Sequence, residues 1–154
     1  EPEEDERAST QRIDLAALRE EGQDVEWVFF EAKHISNPEL RAVGEPRVLN
    51  QIRRYEELLA KYRMAIETSY RQVCRNLIEL RGRTVPEVIR RAARPDTLLQ
   101  VSSQPRLVIF GFDEDQRRGV VWASHRQKLI DALGKSRVLL RGNPEGFIGE
   151  VLAS

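Results

Sequence analysis

The chain contains one cysteine, Cys74, and two histidines, His34 and His125, among 154 residues. A single thiol excludes an internal disulfide, and three such residues are too few for a zinc cluster built on sulfur and imidazole. That sparing use of cysteine points to a reducing, cytoplasmic setting. No apolar run approaches the ~18 residues needed to cross a bilayer, so no membrane partner is expected. No basic segment leads into an apolar one as an export signal would require. There is no glycine-rich phosphate loop to support nucleoside triphosphate hydrolysis. Ser124-His125 has no obvious acidic partner in sequence, which argues against a hydrolase triad. Net charge is also lacking: 25 basic residues balance 25 acidic ones, so no overall field favours a polyanionic partner.

At 40% hydrophobic and 32% charged residues, the composition fits one soluble globular domain with a real core. The balanced charge is unevenly spread. Glu1, Glu3, Glu4, Asp5 and Glu6 face only Arg7 in the first ten residues, whereas Arg53, Arg54, Arg63, Arg71 and Arg75 follow Gln51. Residues 1–10 therefore read as an acidic disordered tail or linker remnant, and 11–154 as a single domain. The arginine-rich part has two readings: a basic face for phosphate, or solvated helix faces with ion pairs such as Glu57 with Lys61.

Hydrophobic periodicity predicts a short strand over Gln11–Leu18 and a second over Val25–His34, joined by a turn at Glu20–Asp24 as a hairpin. A loop at Ile35–Pro46 carries the turn signals Asn37-Pro38 and Gly44-Glu45-Pro46. Helices are expected over about Arg47–Tyr62 and Met64–Leu80, with a shorter one from Pro86 to Ala93. A strand at Arg106–Phe112, a helix at Val121–Leu133 stopped by Gly134, and an edge strand at Arg137–Leu140 complete the chain. The main elements run β-β-α-α-β-α-β, which is the order of an α/β fold whose mixed sheet has helices packed against it. Asp113-Glu114-Asp115 reads as a solvated turn, Trp122 as helix core and His125 as an ordinary residue at the surface or core edge.

One feature departs from this ordinary pattern. Val25-Glu26-Trp27-Val28-Phe29-Phe30 reads as a strand buried on both faces, and Glu31-Ala32-Lys33 closes it with two opposite charges on one face. Buried unpaired charge is costly, so this pair marks the rim of a site. The next helix presents the stripe Val48, Ile52, Tyr55, Leu58, Leu59 and Tyr62, and Gln51 interrupts it one turn before Tyr55. A buried amide needs hydrogen-bond partners. Gln51 either reaches water or backbone from the first helical turn, or faces the same cleft as Glu31 and Lys33.

Asp14 on the hairpin, Glu31-Ala32-Lys33 at the end of the next strand, and Gln51-x-x-x-Tyr55 on the following helix together resemble the PD-(D/E)XK nuclease superfamily, in its RecB-like branch. The motifs cover residues 11 to 62. The resemblance implies a restriction-endonuclease-like fold and metal-dependent hydrolysis of DNA, with RNA not excluded. It implies that Asp14, Glu31 and the Ala32 carbonyl hold Mg²⁺ or Mn²⁺, and that Lys33 assists the attacking water. Gln51 and Tyr55 would position the site, with Arg12, His34, Arg53 and Arg54 as candidate contacts to nucleic acid.

Two divergences accompany the likeness. Arg12-Ile13 precedes Asp14, so the proline of the family's motif is missing. The helix that usually precedes the acid-bearing hairpin also has no counterpart, which suggests a minimal core or the nuclease portion of a longer protein. The rival reading is a nuclease-fold module that binds nucleic acid or protein without cutting.

Overall fold

The computed structural model of the chain describes residues 12–113, 116 and 118–142. Strand β1 (Leu15–Glu21) and strand β2 (Asp24–His34) form an antiparallel hairpin with Leu15 opposite Phe30 and Glu21 opposite Asp24. Gly22 and Gln23 make the two-residue turn. Gly22 has φ 60°, whereas no described non-glycine residue has positive φ, the pattern of a hairpin turn with glycine first. Three helices follow: α1 (Arg47–Lys61), α2 (Arg63–Arg81) and the short α3 (Glu87–Ala93). Strands β3 (Leu99–Val101) and β4 (Arg106–Phe110), helix α4 (Val120–Leu133) and strand β5 (Val138–Arg141) complete the described fold.

The five strands make one mixed sheet in the order β1-β2-β4-β5, with β3 also paired to β2. β2 is the axis of the sheet. One edge carries β1. Along its other edge β3 meets Val25–Trp27 and β4 meets Phe30–His34, both in parallel. The crossovers from β2 to β4 and from β4 to β5 step in the same direction, so right-handed connections place their helices on one face. Core packing agrees. Leu107, Ile109 and Val138 of the sheet cluster with Val48 and Ile52 of α1 and Trp122 and Leu129 of α4. Trp27 and Phe29 cluster with Leu59 of α1, Cys74 of α2 and Ala92 of α3. The opposite face holds Val28, Phe30 and Val108 in a separate cluster with Leu15, Ala17 and Leu139, none of them helical. β2 thus has apolar side chains buried on both faces, as its apolar run at residues 27–30 requires.

The first strand lies several residues later than its sequence pattern suggested. Arg19, Glu20 and Glu21 belong to it because each charge finds a partner, Glu21 in Arg19 of the same strand at 3.3 Å and the other two across the fold. Arg19 stands directly opposite Glu26 and binds it at 2.7 Å, and Arg91 of α3 reaches Glu20 at 2.9 Å. Cross-strand pairs of this kind stabilise an otherwise unlikely strand sequence. Asp14 consequently precedes β1 rather than lying within it. β3 was not anticipated, since three residues carry no readable period. β4 stops at Phe110 because Gly111 turns out of the sheet with φ 81°. Among the described residues β5 pairs only with β4, as expected of an edge strand.

The acidic tail at 1–10 and residues 11 and 143–154 of the expected domain lie outside the described residues, as do Glu114 and Asp115 of the expected turn. Trp122 is core, and His125 is half-buried beside it. Among the described residues, no helix is long and apolar enough to cross a membrane.

Candidate active site

β2 leaves the core at Glu31. Alternation along the strand puts Glu31 and Lys33 on the face that already carries Trp27 and Phe29, the face covered by the helices. There, a cavity of about 760 Å³ opens between the end of β2, the segment before β1 and helix α1. Its lining includes Asp14, Glu31, Ala32 and Lys33, together with Gln51 and Tyr55. Residues 41 positions apart in sequence are therefore gathered at one place, and all five expected catalytic positions are among them.

Glu31 is 1% exposed, the one charged side chain in the buried class among the described residues. Lys33 Nζ lies 2.8 Å from Glu31 Oε1 and 2.6 Å from Glu39 Oε2. Burial raises the pKa of Glu31, outweighing the hydrogen bond and charge of Lys33 that act in the opposite direction. Burial also works against the charge on Lys33, yet its hydrogen bonds and attraction to Glu31 and Glu39 prevail and raise its pKa. Lys33 thus remains an ammonium at neutral pH, held by two carboxylates.

Tyr55 ties the walls together. Its hydroxyl donates to the backbone carbonyl of Arg12 and accepts from Gln51 Nε2 at 2.8 Å. Burial, with the nearby charges of Glu31 and Asp14, raises the Tyr55 pKa and keeps it protonated. The segment carrying Asp14 is anchored twice, since Asp14 Oδ2 also accepts from the Ala32 N–H at 3.0 Å. The Tyr55 hydroxyl also approaches Glu31, but it has one proton, and that proton is given to Arg12. Glu31 Oε2 is left buried without a hydrogen-bond partner.

That unpartnered oxygen tests whether a divalent ion fits. A buried carboxylate oxygen without a donor is costly unless something positive completes it. Asp14 and the Ala32 backbone adjoin it, and the Ala32 carbonyl projects to the same strand edge as the N–H that binds Asp14. Among the described residues, no group of three or more histidine, cysteine, aspartate or glutamate side chains gathers to hold a metal. Mg²⁺ does not need one: it commonly binds through one or two carboxylates and retains several waters. The donor set fits.

Of the expected nucleic-acid contacts, Arg12 and Arg54 line the cavity, whereas His34 and Arg53 are not among its lining residues. One step along β2 from Lys33 turns His34 to the opposite face. Its ring packs edge-on to Phe110 and its Nδ1 lies 2.7 Å from Ser36 Oγ. Arg53 is paired with Glu45 and donates to Asn50 Oδ1 at 3.0 Å.

Four cavity residues were not expected at the site from sequence: Asn37, which was read only as a turn signal, Glu39, Arg47 and Asn50. Glu39 sits in the one-turn 3₁₀ helix Pro38–Leu40, which Asn37 caps by accepting from the Glu39 N–H at 2.8 Å and which Leu40 anchors in the core. The loop beyond is held by Lys128 of α4, whose ammonium donates to the carbonyls of Ala42 and Val43 at 3.0 and 2.9 Å. Arg47 was legible in principle: it lies four residues before Gln51, on the same face of α1.

No family model matches the chain, and comparisons with curated proteins and with solved structures give no match either.

Proposed function

We propose that the protein is a divalent-metal-dependent nuclease that hydrolyses phosphodiester bonds of DNA, a cytoplasmic enzyme of the PD-(D/E)XK type with a restriction-endonuclease-like fold. The observation that carries this reading is the unpartnered buried oxygen of Glu31, placed with Asp14 and Lys33 in one cavity. Asp14, Glu31 and the Ala32 carbonyl would hold Mg²⁺ or Mn²⁺. When bound, the ion supplies Lewis-acid stabilisation of phosphate charge and acidifies water near the scissile bond.

The chain's own residues have distinct tasks. Lys33 offers a fixed ammonium to the developing negative charge and to the attacking water, where a preoriented cation in a water-poor site acts most strongly. Glu39 keeps that ammonium in place when Glu31 is engaged elsewhere. Tyr55 and Gln51 hold the Arg12–Asp14 segment against α1, so that Asp14 meets the end of β2 in a fixed geometry. Geometry of this kind matters because small misplacements in a reacting array are costly in rate.

The test is degradation of linear and circular DNA, with RNA in parallel, in Mg²⁺ or Mn²⁺ and in chelator. Metal-dependent cleavage that is lost in Asp14→Ala and Lys33→Ala is the expected result. Cleavage that persists in both variants, or in chelator, refutes the reading. Metal binding without cleavage supports the rival module that binds but does not cut, a possibility favoured by one feature: both carboxylate partners of Lys33 already engage its ammonium.

A further inference from the structure

The cavity that holds the carboxylates also has an arginine wall. Arg12, Arg47 and Arg54 line it, and all three are exposed. Elsewhere the arginines are largely committed. Arg19 binds Glu26, Arg71 binds Glu67 and backbone carbonyls, Arg91 binds Glu20, and Arg137 binds Glu56. None of these four lines the cavity, and no side-chain partner is found among the described residues for Arg12, Arg47 or Arg54. Their guanidinium groups stand beside three carboxylates, Asp14, Glu31 and Glu39, without pairing to them.

Arg47 and Arg54 are seven residues apart on α1, two turns along one face and about 10 Å along the axis. Gln51 lies between them on that face, and Arg12 faces them from the segment before β1. A metal ion alone would give these arginines nothing to bind, and a neutral ligand would leave their positive charge unmatched. A ligand that carries several anionic groups in series satisfies both halves of the cavity. Its central phosphate would lie at the carboxylates, through the ion, with its neighbours at the arginines. Guanidinium matches phosphate oxygens in bidentate geometry, which lysine cannot reproduce.

We propose that Arg12, Arg47 and Arg54 form a backbone clamp that binds successive phosphates of a nucleic-acid strand on either side of the carboxylate site, without reading base sequence. The identity of the ligand rests on the nuclease reading; the binding measurement does not. The full chain is titrated with fluorescently labelled DNA oligonucleotides, single-stranded and duplex, in chelator so that no cleavage occurs, across a series of salt concentrations. An RNA strand of the same sequence forms a further arm, and a scrambled DNA tests for sequence reading.

Each of Arg12→Gln, Arg47→Gln and Arg54→Gln is expected to weaken binding and to flatten the slope of log affinity against log salt by about 0.7 for a single strand or about 0.9 for a duplex. Arg81→Gln, at the far end of α2, leaves slope and affinity unchanged. The scrambled strand binds as the original does. Because the three clamp side chains are exposed, the variants retain the wild-type melting temperature. Wild-type slopes in Arg47→Gln and Arg54→Gln overturn the clamp even if the protein cleaves DNA. Flattened slopes in a protein that never cleaves with Mg²⁺ uphold the clamp and remove the nuclease reading.

Discussion

Glu31→Gln isolates what the buried carboxylate does. In the metal-free protein, the Glu31 pKa is raised by burial. A carboxylate whose folded pKa exceeds its unfolded one contributes most stability below the unfolded value, and that contribution is lost as pH rises through the folded value. Metal-free wild-type protein should therefore lose stability as pH climbs above the ordinary carboxylate range. Lys33 does not blur this window: its pKa is also raised, so its contribution holds across neutral pH and is lost only in the alkaline range. Glutamine has nearly the same shape and no charge. Lys33 retains Glu39 at 2.6 Å and can still donate to the new amide oxygen. The metal-free variant is expected to match or exceed wild type in stability at pH 8, with the advantage shrinking as pH falls. With metal the order reverses. An ion at 100 times its Kd stabilises the native state by about 2.7 kcal/mol. At about 2–4 °C per kcal/mol for a chain of this size, this raises Tm by about 5–11 °C. Wild type should show that rise with Mn²⁺ or Mg²⁺ over chelator, and Glu31→Gln should show none. Thermal melts followed by circular dichroism, with and without metal at several pH values, measure both effects. An equal metal-induced rise in wild type and variant, or none in wild type, refutes a metal role for Glu31.

Three further outcomes follow from particular contacts. In Gly111→Ala the new Cβ would collide with the His34 ring at a backbone φ of 81°; strain and overpacking together should cost about 2–4 kcal/mol, read as a lower Tm whose metal-induced rise is nonetheless preserved. Tyr55→Phe removes the hydroxyl that joins Arg12 to Gln51; a loss of about 1 kcal/mol in global stability should accompany faster amide exchange at residues 12–14 and a smaller metal-induced Tm rise, and unchanged exchange there would show that the tether is idle. Cys74 is fully buried, and burial raises its thiol pKa, so an aromatic disulfide reagent should react with it only as fast as the chain opens; immediate stoichiometric reaction in native buffer would contradict the packing of α2.

The legible parts of the fold were those with a long, unambiguous pattern. β2 and α1 declare themselves because an apolar run and a 3–4 stripe extend over several turns or pleats. β3 is three residues, and its pairing with Val25–Trp27 is a tertiary fact. Glu20 and Glu21 read as part of a turn until Arg91 and Arg19 are seen to pair with them. At the site, spacing already separates two of the expected contacts from the cavity lining. Alternation from Lys33 already sends His34 to the other face, and a helical step from Gln51 reaches Arg47 and Arg54 but not Arg53. Glu39 was not legible in this way. It belongs to no spacing with Lys33 and reaches it only because Asn37 closes a turn and Leu40 anchors it.

The energetics of the cluster bear on its purpose. A well-packed apolar group at the end of β2 would stabilise the fold at least as well as a buried ion pair, since desolvation of both charges offsets much of their attraction. Here the offset is only partial. Lys33 satisfies one oxygen of Glu31 and shares its ammonium with Glu39, while the second oxygen of Glu31 has no donor. Tyr55, the nearest hydroxyl, gives its proton to Arg12 instead. Turning that hydroxyl would complete the carboxylate only at the expense of the Arg12 carbonyl. What the arrangement leaves is a buried carboxylate oxygen without a donor at the floor of a cavity, with Asp14 bound to the Ala32 N–H beside it and guanidinium groups at its wall. On the nuclease reading, a cation bound there would restore part of the stability that burying Glu31 costs. If that reading holds, Glu31→Gln should remove the burial cost and the affinity for an ion together.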